Sequence, residues 1–193
     1  AVSLEETGKA QIVALDKTGT ITSGEPKVTD MVALNGKSEA DLLTLAYALE
    51  RKSEHPLAKA ITSKAIDDHI EAVEVEDFMA LAGNGVRAIS DGKILYGGSY
   101  KFISEKVKMT KDIDEIANKL ANDGKTPLFF SSDDELYGII AVADTIKEDS
   151  AKAIKEMQNM GIHVVMLTGD NKRTADAIGL KAGVDEVIAG VLP

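Results

Sequence analysis

The chain has 193 residues and a formal net charge of -10, from 32 acidic and 22 basic side chains. Nucleic-acid binders and proteins that dock on anionic membranes need a basic face, so this balance argues against both classes. The chain contains no cysteine, which excludes disulfides, thiolate metal sites and cysteine nucleophiles. Hydrophobic residues make up 44% of the chain, enough for a globular core, and no apolar run approaches the roughly 20 residues that cross a bilayer.

The first predicted element is a strand at residues 11–16, a short apolar run that ends abruptly in Asp16. Strands that are covered on both faces lose the alternation of apolar and polar residues, so this run is typical of a buried strand in a parallel sheet. The polar segment that follows, residues 17–20, contains a glycine and predicts a loop.

The middle of the chain predicts an antiparallel α+β region. Helices are expected to begin near Ser38 and at Pro56, where a cap and a favoured first-turn proline stand before apolar stripes. An Asp-Gly pair at residues 91–92 lies between two apolar stretches and predicts a tight hairpin. A further helix is expected through residues 113–120, followed by a second hairpin around the acidic turn 132–135. Hairpins predict antiparallel pairing.

The last third of the chain returns to a parallel pattern. A helix is expected from Thr145, where Glu148 completes a capping box, and it leads to an apolar strand at residues 162–167. Another helix is expected after Asp170, with a final strand at residues 186–189. Helix, strand, polar loop, helix and strand are the order of βαβ units, so both ends of the chain are predicted to share one parallel sheet.

Polar residues follow two strands of this predicted sheet, namely Asp16 after the first and Thr168-Gly169-Asp170 after the other. The carboxyl ends of parallel strands form the edge where ligands bind in open α/β sheets. A carboxylate there can attack phosphorus or hold Mg²⁺, and the Thr168 hydroxyl with nearby backbone N–H groups can hold a transferred phosphoryl group. For a lone aspartate, a simple loop cap would be the better interpretation. The surrounding motif therefore decides between a capping role and a catalytic role for Asp16.

Two segments resemble motifs of the P-type ATPases. The phosphorylation motif is matched by Asp16-Lys17-Thr18-Gly19-Thr20-Ile21-Thr22, and the second phosphate-site motif by Thr168-Gly169-Asp170-Asn171. The wider relatives are the haloacid-dehalogenase-like phosphotransferases. The resemblance implies that Asp16 is the phosphorylated nucleophile, that Lys17 and Thr168 stabilise charge together with Gly169 and Asp170, and that the Asp16 carboxylate and the Thr18 carbonyl hold Mg²⁺.

The residue two positions after the nucleophile separates pumps from phosphatases. Phosphatases of that superfamily usually carry a second aspartate there as general acid and base, whereas this chain has Thr18. Without a proton acceptor at that position, water should attack the aspartyl phosphate slowly, and the phosphorylated form should persist. A soluble phosphatase therefore ranks below a pump, although it stays an alternative.

A second set of segments resembles the nucleotide-binding domain of the heavy-metal-transporting class of P-type ATPases. The matching segments are Glu50-Arg51-Lys52-Ser53-Glu54-His55-Pro56-Leu57-Ala58, Gly83-Asn84-Gly85-Val86 and the single residue Gly97. The resemblance implies that the adenine of ATP lies between His55 and these glycines, with Glu50 near its amino group. A helix start disfavours a positive imidazole, so a neutral ring could stack on adenine. Taken alone, His55 could be a surface histidine and the glycines a tight turn.

The resemblance implies a fold and a domain order. It implies a haloacid-dehalogenase-like parallel-sheet phosphorylation domain, residues 1–25 and 144–193, interrupted by an antiparallel α+β nucleotide-binding domain, residues 26–143. The segment from Asp144 onward resembles the return hinge between the two. Past Pro193 the family pattern continues with a lysine and a glycine-aspartate-glycine segment, so a C-terminally truncated phosphorylation domain with weak or absent turnover is expected.

The resemblance also implies the function of the whole protein. ATP hydrolysis through a phosphoaspartate would drive heavy-metal transport at the cytosolic face of a membrane, and the partners would be an actuator domain, transmembrane helices and the transported ion. Copper, zinc and cadmium stay open. A nucleotide-binding module without catalysis is a further alternative for this chain alone. Two departures from the family pattern are Leu15, where phenylalanine is frequent, and Gly98, where asparagine is usual.

Overall fold

The fold is described from a computed structural model, which covers residues 11–81, 84–170 and 172–191. The strands in chain order are β1 (Ile12–Asp16), β2 (Thr22–Ala33), β3 (Glu76–Leu81), β4 (Gly85–Ser90), β5 (Lys93–Gly98), β6 (Thr126–Ser132), β7 (Glu135–Ile146), β8 (His163–Thr168) and β9 (Glu186–Ala189). The helices are α1 (Glu39–Glu50), α2 (Pro56–Asp67), α3 (Tyr100–Ser104), α4 (Lys111–Asn122), α5 (Ser150–Asn159) and α6 (Lys172–Ala182). In these described ranges no helix has the length and apolar character needed to cross a membrane.

The chain divides into two compact units. The parallel-sheet unit consists of Ala1–Glu25, Asn122–Gly124 and Asp144–Pro193, and the antiparallel-sheet unit consists of Pro26–Ala121 and Lys125–Ala143. The expected combination of a parallel sheet with an antiparallel α+β region is confirmed.

The parallel-sheet unit contains a three-stranded sheet in the order β1-β8-β9, with both pairings parallel. Its β1–β8 register places Asp16 opposite Leu167, one residue before Thr168, the last residue of β8. The core of this unit is formed by the buried side chains of Ile21, Ile154, Val164, Met166, Ala175, Ile178 and Ala182. Burial of these apolar groups holds α5 and α6 against the sheet, so the carboxyl ends of β1 and β8 meet at one edge.

The antiparallel-sheet unit is built on a six-stranded sheet in the order β2-β7-β6-β5-β4-β3, and the pairings from β3 to β7 are antiparallel. One hydrophobic cluster joins α1 and α2 to this sheet, and a second joins α3 and α4 to it. Phe129 belongs to the second cluster and Phe130 to the first. Successive residues of a strand point to opposite faces, so this unit packs helices on both faces of β6.

Local sequence signals account for several of these elements. Ser38 caps α1 through a reciprocal capping box, in which its hydroxyl accepts from the Asp41 backbone N–H at 3.1 Å and its own N–H donates to the Asp41 carboxylate at 2.9 Å. The β4–β5 hairpin turns at Asp91 and Gly92, whose φ angles are 50° and 74°. Two positive φ angles are what the tight hairpin turn requires, and the predicted Asp-Gly turn is therefore confirmed.

The helix expected from Thr145 begins later than predicted. Thr145 and Ile146 are the last residues of β7, and α5 starts at Ser150. The backbone N–H of Lys147 donates to the Ile21 carbonyl at 3.1 Å, and the Ser150 hydroxyl donates to the same oxygen at 2.8 Å. Because this segment donates hydrogen bonds to the Ile21 carbonyl, its backbone does not form the first turn of a helix at Thr145. The predicted capping box therefore does not form.

Candidate functional site

Four polar residues gather at the carboxyl edge of the parallel sheet, and we call them the sheet-edge cluster. They are Asp16, Lys17, Thr168 and Asp170. Asp16 is the last residue of β1 and is exposed, while Thr168 ends the neighbouring strand β8 and is buried. The parallel β1–β8 pairing brings them to one edge, although more than 150 residues separate them in the chain.

Lys17 forms an ion pair within this cluster. Its Nζ lies 2.8 Å from Oδ2 of Asp170, and the two side chains are 11% and 31% exposed. The Asp170 backbone N–H in turn donates to Oγ1 of Thr168 at 3.1 Å. A partly buried pair is screened less by water than one on the surface. The cluster therefore holds an ammonium group in a fixed place directly after the exposed Asp16 carboxylate.

The turn that follows Asp16 is irregular and anchored from one side. Within Lys17–Ile21, Thr18 has an extended backbone with φ of -77° and ψ of 121°, and Gly19 has a φ of 76°. Nζ of Lys147 donates to the Gly19 carbonyl at 2.6 Å. Ile21 is buried, whereas Thr18 is exposed. The loop after the candidate nucleophile is thus held by the Lys147 ammonium group and by the buried Ile21 side chain. Thr18 stays exposed and accessible to a ligand.

Asp144 fixes the next part of the chain. Its carboxylate accepts hydrogen bonds from the Thr22 hydroxyl, from the Ser23 hydroxyl at 3.1 Å and from the Gly24 backbone N–H at 3.0 Å. Thr22 is fully buried, and its hydroxyl also lies 2.9 Å from the Lys17 carbonyl oxygen. Asp144 is therefore more than a helix-capping neighbour, because it holds the start of β2, where Thr22 also contacts Lys17 at the beginning of the candidate phosphorylation loop.

The antiparallel-sheet unit contains a cavity of about 380 Å³. It is lined by Glu50, Ser53, His55, Leu57, Ala58, Ala80, Leu81, Asn84, Gly85, Val86, Gly98, Ser99, Thr126 and Leu128. Ligand pockets for small molecules typically measure about 300–1,000 Å³, so this cavity is large enough for a nucleoside. Of the residues expected near adenine, it brings together Glu50, His55 and Gly85. Gly83, like Asn171 of the phosphate-site motif, lies outside the described residues.

Glu50 is the buried acid of this cavity. It ends α1 and is only 7% exposed. Burial raises its pKa to about 7, and a hydrogen bond with Ser53 acts weakly in the opposite direction. At neutral pH both protonation states are therefore populated, so the carboxyl group can accept a hydrogen bond from an amino group or donate one to a ring nitrogen.

His55 is the N-cap of α2, directly before Pro56. Its Nδ1 accepts a hydrogen bond from the Leu57 backbone N–H at 3.2 Å. A ring nitrogen that accepts cannot carry a proton, so this contact selects the neutral ring with its proton on Nε2. The side chain is exposed and lines the cavity. A neutral aromatic ring held in this way is suited to stack on a flat heterocycle.

The glycines of this region are required by the packing of strands. A Cβ atom on Gly85 would lie 2.1 Å from the Gly97 carbonyl oxygen, and one on Gly98 would lie 2.5 Å from the Asn84 carbonyl oxygen. A Cβ on Gly97 would meet the Phe130 ring at 2.7 Å, and Gly97 itself does not line the cavity. Gly85 and Gly98 let the chain at β4 approach β5 closely and also border the cavity, whereas Gly97 makes room for the Phe130 ring of β6.

The comparisons with known proteins agree with this geometry. The haloacid dehalogenase-like hydrolase family matches residues 10–192. The chain belongs to this family. Membership of this family, together with the similarity to P-type ATPases, implies in general terms the use of a nucleotide and of Mg²⁺.

The similar proteins are heavy-metal-transporting ATPases. The chain is 43% identical over 193 residues to a copper-transporting P-type ATPase of Rhizobium leguminosarum bv. viciae, a match that covers 100% of this chain and 23% of the relative. It is 41% identical over 198 residues to a probable cadmium-transporting ATPase of Alkalihalophilus pseudofirmus, with 100% of this chain and 27% of the relative covered. The chain thus spans about a quarter of these relatives, and the resemblance seen in its motifs is confirmed.

A solved structure gives the same result for the fold. The crystal structure of a zinc-transporting PIB-type ATPase in the E2·Pi state superposes with a TM-score of 0.80 and 39% identity, over 98% of this chain and 30% of that one. The two-sheet architecture is thus that of the phosphorylation and nucleotide-binding region of heavy-metal P-type ATPases. The full-length relatives are membrane proteins with cytosolic domains.

Several residues at these sites were not among the predicted site residues. Ser53, Asn84 and Thr126 line the cavity, and Lys147 contacts the loop after Asp16. Asn84 stands between two motif glycines, so its position could have been marked from the sequence. Thr126 gives no local signal, because it enters the cavity only through the position of β6 in the sheet.

Proposed function

We propose that this chain is the ATP-binding and aspartyl-phosphorylation region of a heavy-metal-transporting P-type ATPase. The observation that carries the proposal is the sheet-edge cluster, in which the exposed Asp16 carboxylate ends β1 beside the Lys17–Asp170 ion pair. A carboxylate nucleophile next to a fixed cation, at the ligand-binding edge of a parallel sheet, is what phosphoryl transfer from a nucleotide needs. The similarity to copper- and cadmium-transporting ATPases supports the same function.

The two units carry different parts of this function. We assign residues 1–25 and 144–193 to the phosphorylation domain and residues 26–143 to the nucleotide-binding domain. The division of the chain into a parallel-sheet unit and an antiparallel-sheet unit supports the boundaries after residues 25 and 143, while Asn122–Gly124 group with the parallel-sheet unit.

In the cavity, adenine would stack on the neutral His55 ring and place its amino group near Glu50. Gly85 borders this cavity and would keep its wall free of a side chain, whereas Gly97 would act through the packing of β5 against the Phe130 ring.

The oxygen atoms at the sheet edge suit Mg²⁺. We expect the Asp16 carboxylate and the Thr18 backbone carbonyl to hold the ion, since both are hard oxygen ligands and both belong to the exposed start of the loop. No group of three or more His, Cys, Asp or Glu side chains that could hold a metal occurs in the described residues. Mg²⁺ commonly uses one or two protein ligands and completes its shell with water and phosphate oxygens. When bound, it neutralises charge on the transferring phosphate.

The reaction would proceed by in-line displacement. An Asp16 carboxylate oxygen forms a bond to the γ-phosphorus of ATP, while the bond from that phosphorus to the bridging oxygen breaks and ADP leaves with the electron pair. Lys17 and the Thr168 hydroxyl donate hydrogen bonds to the phosphoryl oxygens. In a later step, water attacks the phosphoaspartate, which releases phosphate and restores the carboxylate. Thr18 offers no carboxylate to take the proton of this water, so the intermediate lives long enough to be used.

In the whole protein this cycle would drive the transport of a heavy-metal ion. An actuator domain and transmembrane helices of the same polypeptide would be the partners, and the present chain would lie at the cytosolic face of a membrane. The similar proteins are named for copper, cadmium and zinc, so the identity of the ion stays open.

Transfer of label from γ-labelled ATP tests this proposal. The experiment uses this chain and one that continues past Pro193, each with Mg²⁺. We expect a hydroxylamine-sensitive label, as an acyl phosphate gives, that Asp16→Asn removes and that the exposed control Asp112→Asn leaves in place. Absence of label from both chains, or label that persists in Asp16→Asn, would contradict the proposal.

A further inference from the structure

Two of the cavity's polar side chains form no hydrogen bond with the part of the chain that the structure describes. Ser53 accepts from the His55 backbone N–H, His55 accepts from Leu57, and Ser99 accepts from the Phe102 backbone N–H. Glu50 is bonded to Ser53. Among the lining residues that the structure describes, Asn84 and Thr126 are left, and both carry groups able to donate and accept. These two side chains are therefore free for a ligand.

Among the described residues, the lining of the cavity has neither lysine nor arginine. Its ionisable side chains are Glu50 and His55. Phosphate groups are held most strongly by charged donors, which are absent from this lining. A nucleotide bound here would gain most of its binding free energy from the base and the sugar, and its phosphate chain would extend out of the cavity.

The different burial of the lining residues determines how a nucleoside would be oriented in the cavity. Glu50 is almost fully buried, whereas Asn84 is exposed at the rim. The backbone of Asn84 is held on both sides, since its N–H donates to the Leu81 carbonyl at 2.9 Å and its carbonyl accepts from Ser99 at 3.1 Å. With the base at the deep end near Glu50, the ribose of the same molecule lies between the base and the rim.

We propose that this cavity recognises the nucleoside part of its ligand, and that the Asn84 side-chain amide binds the ribose hydroxyls at the rim. The proposal rests on the proposed function, because it takes the base to lie near Glu50. An amide both donates and accepts, and so do the vicinal hydroxyls of ribose, so the two groups match as a bidentate pair. Asn84 is thus a specificity-determining residue, and the phosphate chain adds little affinity.

Recognition of the nucleoside part can be tested by NMR titrations of the whole chain without Mg²⁺. The ligands are adenosine, AMP and ADP. We expect the three Kd values to agree within about threefold, because no cation of the cavity contacts phosphate. Adenosine binding more than about tenfold weaker than ADP would overturn this half of the proposal. Absence of binding by all three ligands would contradict the proposed function itself.

A double-mutant cycle between protein and ligand tests the second half of the proposal. One hydrogen bond is worth about fivefold in affinity, so we expect the wild-type chain to bind 3′-deoxyadenosine about fivefold more weakly than adenosine. Asn84→Ala should bind both nucleosides equally, about fivefold more weakly than the wild type binds 3′-deoxyadenosine, because the variant also loses the bond to the 2′-hydroxyl. The control Asn159→Ala, an exposed asparagine of α5, should keep the full discrimination. Discrimination that persists in Asn84→Ala would overturn the role of Asn84 and leave nucleotide binding intact.

Discussion

The two candidate sites of this chain differ in charge and in architecture. The sheet-edge cluster is ionic, with a Lys17–Asp170 pair next to an exposed Asp16 at the ends of parallel strands. The cavity of the antiparallel-sheet unit is largely apolar, and its deepest polar residue is the buried Glu50. Phosphoryl chemistry needs fixed charge, whereas recognition of a base needs a dry slot with a few directed polar groups. The chain separates these two requirements between two units.

We expect the largest effect on stability from Glu50→Gln, which removes the buried acid of the cavity. Since the folded-state pKa of Glu50 is about 7, above its ordinary 4.5, ionisation opposes folding as the pH rises through this interval. The free energy of unfolding of the wild type should fall by an amount on the order of 3 kcal/mol between pH 5 and pH 8 relative to Glu50→Gln. Urea denaturation at both pH values measures this difference.

The exposed Glu115→Gln serves as the matched control, because it removes a carboxylate from the surface of α4. It should retain the wild-type pH dependence. An equal pH dependence in Glu50→Gln would show that Glu50 is not the buried acid of the cavity.

A pair of glycine substitutions compares the backbones of the two sites. In the cavity wall, Gly85→Ala forces a Cβ to within 2.1 Å of the Gly97 carbonyl, whereas Gly169→Ala at the sheet edge meets its nearest atom at 3.4 Å. We expect Gly85→Ala to lower the free energy of unfolding by about 2 kcal/mol and Gly169→Ala to change it by less than about 1 kcal/mol. Denaturant unfolding of both variants checks this, and equal losses would contradict the packing role given to Gly85.

His55→Ala tests the aromatic part of the cavity. Loss of stacking on adenine should weaken ADP binding about tenfold, and loss of the N-cap should also lower stability modestly. His55→Asn separates the two effects, because asparagine restores a cap without an aromatic ring. We expect it to regain stability and still bind weakly by titration calorimetry. His163→Ala, at an exposed histidine of β8, should bind as the wild type does. Unchanged affinity in His55→Ala would exclude the stacking role.

Much of the fold could be predicted because its signals are local. Apolar runs mark β1 and β8, a capping box marks the start of α1, and Asp91-Gly92 marks a hairpin. By contrast, β2 carries no apolar run. It lies at the edge of its sheet, where Pro26 and exposed polar side chains are tolerated.

The site residues likewise differ in whether a local sequence signal marks them. The motif around Asp16 is contiguous, so the sequence alone marks the candidate nucleophile. The Lys17–Asp170 pair joins residues 153 positions apart, and the exposed Asn84 becomes notable only beside a cavity that the whole sheet creates. The reason for the glycine at position 85 is a contact with another strand, which spacing within one motif does not encode.

We infer that the base is bound by the cavity and not by the sheet-edge cluster. An NMR titration of the isotope-labelled chain with AMP tests it most directly, because backbone shifts report which residues contact the ligand. We expect the shifts to concentrate at Glu50, Ser53, His55 and Gly85, while residues 16–20 and 168–170 change little. Shifts centred on the sheet-edge residues, with the cavity residues unaffected, would contradict it.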